Sequence, residues 1–100
     1  MEYKMDDGKV VDTFKCKYFW EEGEYFDGHN FISINTRTQW EHERLYFMKS
    51  DRYFIEKWSN WQGSIPTASW VSSREAARWL ILNEYELPDD LKKLEEGVVE

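Results

Sequence analysis

Acid–base and nucleophilic chemistry near neutral pH draws first on imidazole, thiol and paired carboxylates. The chain holds two histidines, His29 and His42, and one cysteine, Cys16. His29 follows Asp27-Gly28 in an expected turn, and His42 stands among charges in an expected strand. Each reads as an exposed polar residue rather than as a general base or ligand. Cys16 alternates with Phe14 and Tyr18 on an apolar strand face, which makes it a buried, inert thiol with no histidine placed to activate it. One cysteine and two histidines at unrelated spacings form no zinc pattern. Asp6, Asp7, Asp12, Glu21, Glu22 and Glu24 do not match the spacing of an EF-hand loop. The sequence contains no glycine-rich phosphate loop, nucleophile elbow or dinucleotide fingerprint. Carboxylate pairs abound in any acidic chain, so they single out no acid and base. The expectation is a non-enzymatic protein without metal or cofactor.

Twenty acidic residues face 13 basic ones, a formal net charge of −7. The surplus is even: residues 1–50 carry seven basic and ten acidic groups, residues 51–100 six and ten. A chain acidic throughout repels phosphate backbones, and counterion release cannot drive its binding to them. Direct contact with nucleic acid or an anionic membrane is therefore not expected. No apolar run approaches the ~18 residues of a membrane span, and Met1-Glu2-Tyr3-Lys4-Met5-Asp6-Asp7 lacks a secretory signal pattern. A lone cysteine excludes an intramolecular disulfide and fits a reducing compartment, so the expected location is the cytoplasm. At 100 residues with no linker, the chain should be a single domain over residues 1–100.

Any functional group must be positioned by a small sheet and a helix. Val10, Phe14, Cys16, Tyr18 and Trp20 fall on one face of an alternating run, with Val11, Thr13, Lys15 and Lys17 on the other, which predicts a strand. Tyr25-Phe26 begins a short extended piece closed by Asp27-Gly28-His29-Asn30, and Asp-Gly is a hairpin dipeptide. Phe31 to Thr36 alternates again. Glu43 to Lys49 and Arg52 to Trp58 form a second hairpin around Ser50-Asp51. In it Leu45 and Phe47 oppose Tyr46 and Met48, and Tyr53 and Ile55 oppose Phe54 and Trp58. A hairpin apolar on both faces belongs at the centre of the sheet. Gln62 to Thr67 reads as a loop.

Ser72-Ser73-Arg74-Glu75 is a capping box. It opens a helix over about 73–84, in which Ala76 and Ala77 permit close approach to a sheet. Leu87-Pro88-Asp89-Asp90 starts a short second helix (88–95) with Leu87, Leu91 and Leu94 in one stripe. The expected fold is α+β: an antiparallel sheet of four to five strands packed by one amphipathic helix, with the short helix at the C-terminus. Phe14, Cys16, Ile32, Ile34, Phe54 and Leu80 are the expected core.

Tryptophan is the least ordinary feature. Core filling accounts for Trp70, just before the helix N-cap, and for Trp79 within the helix. Six Trp and six Tyr exceed what one small core requires. Trp58, Trp61 or Tyr25 should therefore stay partly exposed, as rings at binding hot spots do. The densest acidic clusters are Glu21, Glu22, Glu24 and Asp27, and Glu84, Glu86, Asp89 and Asp90. Such groups solubilise a surface by default, and facing a partner they complement a basic patch. Rings among carboxylates also suit a cationic or planar ligand in a pocket, and evenly spaced carboxylates would mimic DNA. Both are alternatives.

Arg52-Tyr53-Phe54-Ile55, Trp58-Ser59-x-Trp61-Gln62-Gly63-Ser64, Ser73-x-Glu75-Ala76-Ala77-Arg78-Trp79-Leu80 and Leu87-Pro88-x-Asp90-Leu91 resemble a group of small uncharacterised proteins of bacteria and their phages. The likeness spans roughly the second half of the chain. It implies a context, a short cytoplasmic protein of a mobile element, and no activity. Compact acidic proteins of that context often inhibit host defence, as anti-CRISPR proteins do. The expected function is non-catalytic binding to a host protein with a basic nucleic-acid-binding surface. Trp58, Trp61 and Tyr25, with Glu21, Glu22, Glu24 and Asp27, are the expected contact residues.

Overall fold

A β-hairpin with apolar residues on both faces needs two covers, and the computed structural model, which describes residues 1–92, supplies one to each. The strands are β1 (Glu2–Lys4), β2 (Val10–Asp12), β3 (Cys16–Glu21), β4 (Glu24–Phe26), β5 (Phe31–Ser33), β6 (Glu41–Met48), β7 (Tyr53–Ser59) and β8 (Thr67–Val71), followed by the helix α1 (Ser73–Leu82). One antiparallel sheet runs in the order β3-β6-β7-β8, and β1-β2 and β4-β5 are separate hairpins. The fold is thus α+β, with one helix packed on a four-stranded sheet.

β6 and β7 form the expected central hairpin, in the register Leu45↔Ile55, Tyr46↔Phe54, Phe47↔Tyr53. Period-two alternation then decides what each face meets. Leu45, Phe47, Tyr53 and Ile55 pack against Ala76, Ala77, Trp79 and Leu80 of α1, joined by Leu87 and Leu91. Tyr46, Met48 and Phe54 pack against Tyr3, Met5 and Val11 of the N-terminal hairpin, with Cys16 and Trp70 at the margin. Of this second cover, Val11 falls in an expected strand, whereas Tyr3 and Met5 come from a polar N-terminal stretch that signalled none.

The capping box forms as read: Ser72 Oγ accepts from Glu75 N at 3.1 Å, and Glu75 Oε1 accepts from Ser72 N at 3.2 Å. α1 ends at its C-cap Asn83, slightly short of expectation, because Glu84 turns into the left-handed region at φ 65°. Residues 89–92 open the second helix, with Leu91 N and Lys92 N both donating to Pro88 O. The remainder expected to residue 95, Leu94 included, lies outside the described residues.

Three local expectations are corrected. Val10 to Trp20 is not one strand, because the Asp12 carboxylate accepts from Phe14 N at 3.0 Å and caps a 3₁₀ turn over Thr13–Lys15. Phe14, placed in the core by its alternation, is 87% exposed on that turn. A register shift between Cys16 and Tyr18 then reverses the phase. Cys16 sides with the N-terminal hairpin while Trp20 stacks near Tyr53 on the α1 side. Cys16 and Ile34 are half-buried, and Ile32, Phe54 and Leu80 are buried. The strand expected from Phe31 to Thr36 stops at Ser33, where Arg37 N donates back to Ser33 O and Arg37 adopts φ 61°. Finally, Thr67, at the end of the expected loop, opens β8, an unexpected edge strand pairing Trp70 with Phe54 and Ser69 with Ile55.

Candidate functional site

The cross-strand pairs on the N-terminal-hairpin side of β6–β7 change character along the strands. Tyr46↔Phe54 is apolar and stacked, Arg44↔Glu56 is charged, and His42↔Trp58 is aromatic. Buried Glu56 accepts from the hydroxyls of Tyr3 and Tyr46, and Arg44 Nη1 stands 3.5 Å away. Burial, reinforced by the hydrogen bond to Glu56, pushes the Tyr3 hydroxyl well above the usual phenol pKa. Burial raises Tyr46 as well. Arg44 also reaches Glu21 at 3.3 Å and holds its guanidinium 5.0 Å from the Trp58 ring centroid.

His42 is closely held by its neighbours. Its Nδ1 lies 2.6 Å from Glu22 Oε2, its Nε2 lies 3.0 Å from Asn60 Nδ2, and its ring stacks on Trp58 at 5.6 Å. A neutral imidazole with its proton on Nδ1 satisfies both contacts, donating to Glu22 and accepting from Asn60. Glu22 is fixed in turn: its Oε1 accepts from Ser33 Oγ and from Glu43 N, each at 2.7 Å. Side-chain exposure is only 6% for Glu22 and 14% for His42. The expectation of an exposed His42 is therefore corrected. His29 is exposed, in the β4–β5 turn.

Trp58, half-buried, lines two shallow cavities together with His42 and Glu43. One of about 230 Å³ is lined by Glu21, Glu22, Glu24, His42, Arg44 and Asn60 among others. The other, about 370 Å³, includes Glu41, Lys57, Ser64 and Ile65 in its wall. Glu21, Glu22, Glu24 and Trp58 thus gather around one cavity. Trp61 and Tyr25 line neither of the two, so these cavities do not bring the three rings together.

Trp61 instead leans on Trp40 with centroids 4.7 Å apart, and both rings are exposed. Exposed Tyr25 sits on β4 beside Phe26, which packs on Phe31 across the hairpin at 5.3 Å. Asp27 caps the same hairpin, accepting from the backbone N–H groups of His29 and Asn30 at 2.8 Å each. Those hydrogen bonds hold its carboxyl below the usual carboxylate range. Sequence reasoning undervalued His42 and did not single out Asn60 or Glu43. Glu22 and His42 are 20 positions apart, and no local spacing announces their pairing.

Among the described residues no helix is long and apolar enough to cross a membrane. Comparison with protein-family models, with curated proteins and with solved structures gave no match.

Proposed function

We propose that the chain is a non-catalytic protein-binding module that docks on a basic surface of its partner. In that role it would serve a phage or mobile element as an anti-CRISPR-like inhibitor, covering the nucleic-acid-binding surface of a host defence protein in the cytoplasm. One observation carries this: Phe19, Tyr25, Phe26, Phe31, Trp40 and Trp61 all remain exposed on a 100-residue chain of net charge −7. Large exposed rings in number mark interaction surfaces. Four of them are already packed as the pairs Trp40–Trp61 and Phe26–Phe31, so docking freezes little further side-chain freedom. Glu21, Glu24 and Asp27 stand exposed in and beside the hairpin that carries Tyr25, where they can steer a basic partner.

The test is capture of partners by the tagged chain from a CRISPR-bearing bacterial lysate, followed by titration of the purified partner. The expected partner binds nucleic acid. Its affinity for the chain falls steeply as salt rises and by about tenfold or more in Trp61→Ala. A partner whose binding is indifferent both to salt and to Trp61→Ala contradicts the proposal.

A further inference from the structure

We propose that Glu22, Glu24 and His42 form a site for one divalent transition-metal ion of the zinc class, held between the turn joining β3 to β4 and the start of β6. This inference stands independently of the protein-binding reading. One ligand atom from each of the three residues lies within 4.8 Å of the other two. Ligands about 2.0–2.2 Å from a common ion stand roughly 3–3.5 Å from one another, so the exposed side chain of Glu24 must rotate inward and the Glu22–His42 pair, 2.6 Å apart, must open slightly to admit the ion.

The two inner ligands are held in place by their surroundings. Glu22 is fixed by Ser33 Oγ and Glu43 N on one carboxylate oxygen, which leaves the other facing His42 Nδ1 at 2.6 Å. Hydrogen bonds of this kind orient the ligands of metal sites. A contact of 2.6 Å between a carboxylate oxygen and a ring nitrogen calls for a proton between Glu22 Oε2 and His42 Nδ1. A divalent ion would displace it, and the imidazole would carry its remaining proton on Nε2. That nitrogen already has a partner, because Asn60 lies 3.0 Å away and its amide can turn to present the oxygen instead of the nitrogen.

Charge favours the same occupant. Glu21, Glu22, Glu24 and Glu43 all line this cavity. Arg44, which shares the cavity, is committed to Glu21 and Glu56, and Lys57 stands 3.7 Å from Glu43. Among the described residues Glu22 forms its one ion pair with His42, and Glu24 forms none with a lysine or arginine. One imidazole with two carboxylates suits zinc and its neighbours rather than magnesium or calcium, which favour all-oxygen shells. The cavity of about 230 Å³ leaves room for water to complete the coordination. A bound ion would tie the base of the β4–β5 hairpin to β6.

The experiment is calorimetric titration of the purified full chain with zinc chloride, beside the variants Glu24→Ala, His42→Gln and His29→Gln. Circular dichroism checks each fold. Exposed Glu24 keeps the test valid should His42→Gln unfold. The expected result is one ion per chain, with affinity at least tenfold weaker in Glu24→Ala and in folded His42→Gln and unchanged in His29→Gln. Absence of zinc uptake at millimolar concentration, or uptake that Glu24→Ala leaves intact, overturns the proposal.

Discussion

The backbone N–H of Gly23 donates to the side-chain oxygen of Asn83, 2.7 Å away and 60 positions later in the chain. The contact joins the turn between β3 and β4 to the end of α1. Asn83 spends its amide nitrogen on Asn35 Oδ1 at 2.9 Å and on Trp79 O at 2.6 Å. A Cβ at position 23 would fall 2.7 Å from Ile34 Cδ1, the tip of a side chain that would have to swing aside. Asn83→Ala leaves the partly buried Gly23 N–H without its partner. The expected cost is about 1–3 kcal/mol, read as a lower denaturant midpoint with unchanged slope.

The capping box makes a smaller prediction. Ser72→Ala removes the acceptor of Glu75 N at the start of α1. Thermal or denaturant unfolding should show a loss of about 0.5–2 kcal/mol.

Two phenylalanines both expected in the core should behave oppositely. Phe54 is wholly enclosed between β6, β8 and the N-terminal hairpin, so Phe54→Ala should cost about 3–5 kcal/mol. Phe14 lies in solvent on the 3₁₀ turn, and Phe14→Ala should stay within about 0.5 kcal/mol of the parent chain. Equilibrium unfolding of the two variants under the same conditions measures the contrast.

Alkaline pH should unfold the chain through its buried phenols. Tyr3, Tyr46 and Tyr53 have raised pKa values, with burial the leading cause in each, and the charge of Asp90 next for Tyr53. The unfolded chain therefore holds fewer protons than the folded one above pH about 10, where free tyrosine ionises. Stability is fully present below that pH and falls as pH rises beyond it. Denaturant midpoints across an alkaline series should decline, and part of the tyrosinate absorbance should appear only together with loss of far-ultraviolet circular dichroism.

The elements legible in the sequence are those with local signals. Alternation on both faces placed β6 and β7, and Ser72 with Glu75 placed the start of α1. β1 and β8 are short and lie among polar residues, and they are ordered by pairing rather than by pattern. Phe14 misled because one aspartate, Asp12, breaks the alternation by capping a turn. The candidate site divides the same way. Glu21, Glu22, Glu24 and Trp58 were legible as an acidic cluster and an aromatic ring, and they do meet. His42 was not legible as their organiser, since its partners Glu22 and Asn60 are brought to it by strand pairing and by the loop after β7.

The most direct test of the binding account is competition. A labelled oligonucleotide is bound to the captured partner, and its fluorescence anisotropy is followed as the chain is added. The account predicts that the chain displaces the oligonucleotide, and that displacement weakens when Glu21, Glu24 and Asp27 are together replaced by their amides. An oligonucleotide that stays bound while the partner is saturated with the chain would contradict it.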